Sequence, residues 1–282
     1  MKISLITAVY NNAGGLASSL ASSLQQGYPQ VERVVVDGSS TDGTLEVLQQ
    51  YASKLDRIVS EPDQGIYDAL NKGVALATGE VVGVLHSDDV LADDDVLSHV
   101  ADAFLETGAD LLYGDLCYVR SENPEQIVRH WKAGTFSPSL LAQGWMPPHP
   151  TVFVRRELFQ RFGGYDLRYR IAADYDWMLR LLSDESLKVT YLPEVLVYMR
   201  TRGVSNRSLS NLCRKSMEDW EIIRQHQIGG VWTLLFKNLK NGFCLIKRDK
   251  IRGVFDTRLH SLKTFQSTKI KLFGEILHLL QA

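Results

Sequence analysis

The sequence predicts an α/β fold: a mostly parallel central sheet flanked by helices, with a helical C-terminal appendage. Three observations predict it. Over residues 1 to about 115, apolar strand patterns alternate with helix-spaced apolar residues, as in βαβ units. Three of those strands end in polar clusters, at residues 7–11, 37–42 and 86–89. Parallel strands bring such ends to one edge of the sheet, where open α/β sheets bind ligands. After Ser205 the apolar spacing turns helical.

Taken in order, residues 3–9 form an apolar strand closed by Tyr10-Asn11-Asn12. Leu16, Leu20 and Leu24 then recur at helical spacing until Gly27-Tyr28-Pro29 breaks the helix. A second strand, 31–36, runs into Asp37-Gly38-Ser39-Ser40-Thr41-Asp42-Gly43-Thr44, whose Thr41, Asp42 and Thr44 suit the cap of a helix over 45–51. Residues 57–60 make a short third strand, 65–77 a helix closed by Gly79, and 81–85 a fourth, wholly apolar strand. A helix over about 94–106 follows, with Asp89 or Asp93 as its candidate N-cap. The strand over 110–119 bends at Gly114, a short strand occupies 151–154, and Gly163-Gly164 ends a helix over 156–162. Helix 173–182 carries Trp177, Leu181 and Leu182 on one stripe. Residues 189–191 and 195–198 read as two closing strands, and 209–225 and 231–245 as helices. The chain thus divides into residues 1–205, with halves at 1–115 and 116–205, and a helical region over 206–282.

At 282 residues, with 45% hydrophobic and 23% charged content, the chain suits one large domain or a domain with an appendage. A net charge of −2 gives no ground for a nucleic-acid partner. Cys117, Cys213 and Cys244 fit neither a disulfide framework nor a metal-ligand spacing, which points to a reducing cytoplasm. The first apolar stretch is too short for a signal peptide, and no run reaches the roughly 18 apolar residues of a membrane span. The expected protein is therefore soluble or rests peripherally on a membrane surface. Neither GxGxxG nor a Walker loop occurs, against a dinucleotide fold or a P-loop nucleotidase.

The chemistry concentrates at Ser87-Asp88-Asp89, where an apolar strand stops at two adjacent carboxylates. Side by side they repel, and burying them unpaired costs several kcal/mol. A hard divalent cation shared with phosphate oxygens relieves both costs; helix capping is the plainer role.

Thr7-Ala8-Val9-Tyr10-Asn11, the stretch from Val36-Asp37-Gly38 to Thr44, and Ser87-Asp88-Asp89 are joined by Glu61-Pro62-Asp63-Gln64-Gly65-Ile66-Tyr67-Asp68-Ala69-Leu70-Asn71-Lys72-Gly73 and Ala77-Thr78-Gly79-Glu80. Together they resemble the nucleotide-sugar-binding half of family 2 (GT-A fold) glycosyltransferases. The branch is the one that builds bacterial capsule, colanic-acid-like and O-antigen polysaccharides, and the resemblance covers roughly residues 1–205. It implies a Rossmann-like nucleotide-diphospho-sugar transferase fold in which Thr7 and Tyr10 line the base pocket. Asp37 would accept a hydrogen bond from the base, uracil in many relatives. Asp63 would sit near the nucleotide, and Asn71 and Lys72 would approach the nucleotide or sugar. Asp88 would contact ribose or sugar, and Asp89 would ligate Mn2+ or Mg2+ bridging the diphosphate. Plainer roles stand beside these: Asp37 as a turn residue before Gly38, and Lys72 on a solvated helix face.

The resemblance extends to Gly163-Gly164-Tyr165-Asp166 and to Ala172-Ala173-Asp174-Tyr175-Asp176-Trp177. Relatives often carry a Glu before the position of Asp174, the implied general base; here Ala173 stands there. An inverting transfer needs such a base to take the acceptor hydroxyl's proton. Asp174 and Asp176 are two apart and share no helix face, and for Asp176 the preferred role is a first-turn acid favoured by the helix dipole. Trp145 offers a face for sugar stacking or is a packed connector, and His149 lies near the phosphates or acceptor or is structural. Arg200, Arg202 and Ser205 resemble a basic segment that closes over the diphosphate. Residues 230–282 hold ten of the 31 Lys and Arg but only three of the 33 Asp and Glu, interleaved with Trp232, Phe236 and other apolar residues. That pattern reads as a membrane-surface helix, or as a subdomain packed on the core or on a second subunit.

The expected activity is that of a metal-dependent inverting glycosyltransferase. It would move a sugar from a nucleoside-diphosphate sugar (a UDP-sugar first, GDP- or dTDP-sugars next) to an acceptor hydroxyl on an oligosaccharide or lipid-linked oligosaccharide. An anionic membrane surface and self-association are the further partners considered. Two alternatives remain: a nucleotide-sugar sensor or scaffold without transfer, kept open by Ala173, and a sugar nucleotidyltransferase. Gly14-Gly15 without Lys or Arg makes a poor phosphate loop for the latter.

Overall fold

The computed structural model describes residues 1–121, 123, 125–201 and 209–243. Met1–Gly242 form one compact unit; of the second, Phe243–Ala282, only Phe243 is among the described residues. Arg202, Ser205 and most of the basic tail, 244–282, therefore lie outside them.

The first half is built from Val- and Ile-rich strands that pair in parallel. β1 (Ile3–Val9) is buried along its whole length, β2 (Val31–Asp37) and β4 (Val81–Val84) flank it, and β3 (Arg57–Ser60) adds to β2. Helices α1 (Ala13–Leu24), α2 (Thr44–Tyr51) and α3 (Ile66–Leu76) make the crossovers. The carboxyl ends of β1, β2 and β4 consequently share one edge.

The second half turns the sheet mixed. After β5 (Val90–Leu91) and α4 (Val96–Thr107) come β6 (Leu111–Arg120), β7 (Ile127–Trp131) and β8 (Phe153–Arg155). Then follow α5 (Glu157–Phe162), α6 (Ala173–Leu182), β9 (Val189–Thr201), α7 (Leu209–Gln225) and α8 (Val231–Phe243). β8 runs antiparallel between β4 and β6, while β9 is parallel to β6 and antiparallel to β5. The order is β3-β2-β1-β4-β8-β6-β9-β5, with β7 hydrogen-bonded to β6. Close packing fixes the β4–β8 contact: a side chain on Gly83 would run into the Phe153 ring.

Where two closing strands were expected, one strand runs from Val189 to Thr201. Its register against β6 shifts around Asp115, because Pro193 has no N–H for the ladder and Gly114 leaves room for Leu196. β5 and β7 escaped the sequence reading. β5 has two residues, and β7 is exposed or half-exposed throughout, so neither shows a core-facing pattern. The N-cap of α4 is Asp95 rather than Asp89 or Asp93; the Asp93 carboxylate accepts the Asp95 N–H. Asp42, in contrast, accepts from Thr44 at α2 and from Ala13 at α1, tying two helix starts together.

α7 and α8 pack into the compact unit through Ile222, Ile223 and Leu234. Trp232 and Phe236, one turn apart on α8, remain 74% and 47% exposed. Lys237, in contrast, is buried and ion-paired to Asp219 at 2.6 Å. No helix among the described residues is long and apolar enough to cross a membrane.

At the amino end of the sheet Glu32 of β2 is 3% exposed. Burial by itself would raise its pKa. Donors from Ser4 Oγ, the Thr78 N–H and hydroxyl, and Lys2 Nζ outweigh burial and hold it at about 2, below the ordinary 4.5. A depressed carboxylate stabilises the fold fully above its unfolded pKa and ceases to as pH falls through the folded one. Glu32→Gln is therefore expected to cost about 1.5–3 kcal/mol at neutral pH, the range for hydrogen bonds to a charged group. Denaturant unfolding should show this deficit shrinking between pH 4.5 and about 2.

Candidate active site

The three polar strand ends are interlocked. Asn12, after β1, donates its side-chain N–H to Ser87 Oγ after β4 at 2.9 Å, and its backbone N–H to Thr44 Oγ1 at 3.0 Å. The Asn11 N–H donates to Ser40 Oγ, and the Thr41 N–H to Asn11 Oδ1, both at 2.8 Å. Asn11 and Ser39 accept positive φ of 47° and 62° to close these turns.

Two of the expected base-pocket residues face outward and two inward. Tyr10 is 64% exposed at the tip of β1, whereas Thr7 is buried inside the strand beside Val35. Gly38 brings Tyr10 and Asp63 together: a Cβ there would strike the Asp63 carboxylate and come within 3.3 Å of the Tyr10 ring. Asp63 accepts the Gly65 N–H at 2.8 Å and keeps its other oxygen toward this spot. Asp37 is fully buried and accepts from the Ser40 N–H at 3.1 Å, Ser40 Oγ at 2.5 Å and Ser60 Oγ at 2.6 Å. The turn-residue role is thus realised, the Ser40 N–H reaching both carboxylate oxygens.

Asp88 is half-buried and Asp89 is 1% exposed. The Asp89 N–H closes a turn onto the His86 carbonyl at 3.0 Å. Neither Asp89 carboxylate oxygen completes a hydrogen bond of normal length and angle among the described residues. Burial first, and repulsion from Asp88 second, push its pKa well above the usual range; the nearby Arg200 N–H and guanidinium pull back only in part. Arg200 Nε is itself buried without a hydrogen-bond partner among the described residues. Among the described residues no three His, Cys, Asp or Glu side chains converge on a metal position.

Asp174 stands in the first turn of α6, half-buried. Tyr67 of α3 donates to the Ile171 carbonyl at 2.8 Å and lies 3.2 Å from Asp174 Oδ1. Burial, and next the Asp174 charge, raise the Tyr67 pKa, so the phenol stays protonated as a donor. Asp176 is enclosed: Arg180 donates to one oxygen at 2.9–3.0 Å and His226 to the other at 2.8 Å. It is a structural carboxylate.

An aromatic chain joins the two carboxylate centres. The His86 and His149 rings lie 5.7 Å apart, His149 Nε2 is hydrogen-bonded to the Tyr165 hydroxyl at 2.8 Å, and the Tyr165 ring is 5.5 Å from that of Tyr67. Burial lowers the pKa of both histidines, to about 3 for His86, so both are neutral in this wall. His149 thus stands in the wall as a buried, neutral imidazole bonded to Tyr165. The Trp145 ring stacks on Phe136 and meets Tyr113 edge-on, as a packed connector would.

Asn71 and Lys72 are engaged elsewhere. The Asn71 amide bonds both ways with the backbone of Tyr165, at 2.8 Å each, in the gap left by Gly164. Lys72 pairs with Glu61 at 2.8 Å and donates to the Pro62 carbonyl. Sequence reasoning missed Glu218 of α7, which is 8% exposed and accepts the backbone N–H groups of Arg170, Ile171 and Ala172 at 2.8–3.1 Å. A surface-like Glu in an amphipathic helix carries no local sign of this role. Tyr67 did lie inside a quoted motif.

Comparisons with known proteins bear on the family and the fold. A PGL/p-HBAD biosynthesis glycosyltransferase of Mycobacterium bovis is 38% identical over 209 residues, covering 72% of this chain and 78% of the relative. The structure of S. aureus TarS 1-349 in complex with UDP-GlcNAc superposes with a TM-score of 0.64 at 21% identity, over 81% of this chain and 66% of that one. The mannosyltransferase PcManGT from Pyrobaculum calidifontis, solved with GDP-Man and Mn2+, has a TM-score of 0.58 at 17% identity, over 98% and 82%. The family model "Glycosyl transferase family 2" matches residues 4–188, and the chain belongs to that family: it is a GT-A-like glycosyltransferase.

Proposed function

We propose that this glycosyltransferase works with inversion, binds a UDP-sugar at the shared edge of β1, β2 and β4, and uses a divalent cation. The carrying observation is Asp89, whose two buried oxygens lack a hydrogen-bond partner among the described residues at a strand tip. An unpaired buried carboxylate is retained only where something else neutralises it. Since no cluster of three or more His, Cys, Asp or Glu side chains converges among the described residues, Asp89 would share Mn2+ or Mg2+ with diphosphate oxygens, and the cation would supply charge neutralisation of the leaving group.

The nucleotides named in the two solved relatives, UDP-GlcNAc and GDP-Man, support a nucleoside-diphosphate sugar as donor. Tyr10 and Asp63 form the open face of the base pocket, with Thr7 and Asp37 behind. Asp88 takes the ribose or sugar, and Arg200 faces the diphosphate. Asn71 and Lys72 act indirectly, by holding the Tyr165 turn and the 61–62 loop. Asp174 is the general base: Tyr67 orients it, and α6 presents it from its first turn. It takes the acceptor hydroxyl's proton as that oxygen attacks the anomeric carbon and the diphosphate leaves.

We also propose an acceptor that is lipid-linked, reached from a peripheral position on an anionic membrane. The exposed Trp232–Phe236 pair on α8 and the basic composition of 230–282 support this.

Three measurements test the proposal. Asp89→Asn should weaken Mn2+-dependent UDP binding at least about tenfold, 1.4 kcal/mol, in calorimetry; UDP affinity that ignores both the variant and EDTA would remove the metal. Asp174→Asn should cut transfer by roughly 10²–10⁴ with donor affinity unchanged. Asp176→Asn should instead lower the melting temperature, and if it is the slower enzyme at equal folded content the base is misassigned. The full chain should sediment with anionic liposomes at low salt and be released at about 1 M, where the Debye length is about 3 Å. Trp232→Glu combined with Phe236→Glu should abolish sedimentation, and a chain indifferent to liposomes would count against the membrane.

A further inference from the structure

We propose that the cleft between the entries to α3 and α6 is the acceptor subsite, and that it takes a sugar ring bearing an anionic group. The proposal rests on Asp174 being the base. The cleft, about 230 Å³, lies between Gln64, Ile66 and Tyr67 on one side and Leu167, Tyr169 and Arg170 on the other. It is smaller than the roughly 300–1,000 Å³ that holds a drug-sized ligand, and so has room for one ring rather than an extended chain.

Its position relative to the base follows from Tyr67. That side chain is a wall of the cleft, and its hydroxyl is 3.2 Å from Asp174 Oδ1. A ring in the cleft is therefore one side chain away from the proton-accepting carboxylate. The opposite wall is pre-formed. Glu218 holds the N–H groups of Arg170, Ile171 and Ala172, and the Tyr169 hydroxyl donates to Gln225 at 3.1 Å. A wall fixed before binding lowers the ordering cost of association.

The lining indicates the ligand class. Ile66 and Leu167 are 44% and 40% exposed, and with the half-buried Tyr67 they offer apolar surface to the face of a ring, while Tyr169, 2% exposed, backs the far wall. Gln64 and Arg170 add polar groups. Arg168 is engaged by Asp166 at 2.7 Å and Arg180 by Asp176 at 2.9 Å, whereas the exposed Arg170 guanidinium makes no hydrogen bond or ion pair among the described residues. A guanidinium fork matches carboxylate or phosphate geometry in two-point contact. The fitting acceptor end is a uronic acid or a phosphorylated sugar, the shared chemistry being a pyranose with one anion beside it.

The test titrates the full chain, with and without UDP, using methyl β-glucuronide, glucose 6-phosphate and neutral methyl β-glucoside, followed by calorimetry and ligand-observed NMR. At least one anionic sugar should bind about tenfold or more tighter than the neutral one, as charge-assisted hydrogen bonds require. Preference for the glucuronide or for the phosphate identifies the source of the anion. Arg170→Gln should erase the preference. Leu167→Glu, which sets a like charge in an exposed wall, should weaken anionic sugars specifically. Equal affinities, absence of binding by all three, or an unaffected Arg170→Gln overturns the subsite. A loss of UDP affinity in Arg170→Gln also overturns it, by assigning that arginine to the donor. Failure of the intact chain to bind any nucleoside diphosphate, in contrast, is failure of the donor reading and is seen in a separate titration.

Discussion

Two buried carboxylates on neighbouring parts of one sheet meet opposite conditions, and the rest of the molecule follows from the contrast. Glu32, at the amino end, has donors from Ser4, Thr78 and Lys2 and is held near pKa 2. Asp89, at the carboxyl end beyond β4, has none of normal geometry and is pushed the other way. The first arrangement stabilises the folded chain above pH 4.5. The second works against folding to the extent that it is ionised, because burial and the Asp88 charge outweigh what Arg200 returns. A fold tolerates such a cost where function depends on it, because strain and unmet polar groups gather at sites that bind something.

The turns around Asp89 are built to carry that cost. Asn12 ties the β1 end to Ser87, Asp42 holds the starts of α1 and α2, and Gly38 lets Asp63 and Tyr10 close in. Few of these contacts bury much apolar surface. Their effect is to fix three loop ends relative to one another, so the open carboxylate cannot collapse onto a local donor. From His86 the wall continues through His149, Tyr165 and Tyr67 to Asp174. Neutral imidazoles and protonated phenols make a rigid partition that adds no charge between the two acidic centres.

Much of this was legible in the sequence, for reasons that differ residue by residue. Asp88, Asp89 and Asp37 could be read because apolar strands end abruptly in carboxylates, and strand period and parallel order place such ends together. The place of Asp174 at the head of an apolar-striped helix could be read from the sequence, whereas the base role came only with the family resemblance. Asn71 and Lys72 were recognisable as motif members, but motif membership does not reveal a partner. Asn71 spends its amide on the Tyr165 backbone 94 residues away, and Lys72 on Glu61. β7 was illegible because its half-exposed face lacks the alternation that marks a core strand, and Pro193 hid the continuity of β9.

Glu218 shows most clearly what a linear reading leaves out. Residues 170–172 lead into α6, and a helix start has N–H groups that its own turn cannot satisfy. Neither Ala172 nor Ala173 has a side chain able to accept them. The carboxylate that does so comes from α7, some 46 residues on, and is itself buried. α7 is held in turn by Asp176 bonding His226, and α8 by Lys237 bonding Asp219. Burial pushes the Lys237 pKa down to about 7 although the Asp219 charge opposes it, so that ion pair has little energy to spare. Without α7 the three N–H groups before Asp174 would face each other or water, and the first turn of α6 would lose the anchor that aims its carboxylate. Ala173 is therefore compatible with an ordered Asp174, because the acidic group that steadies the turn is supplied from another helix.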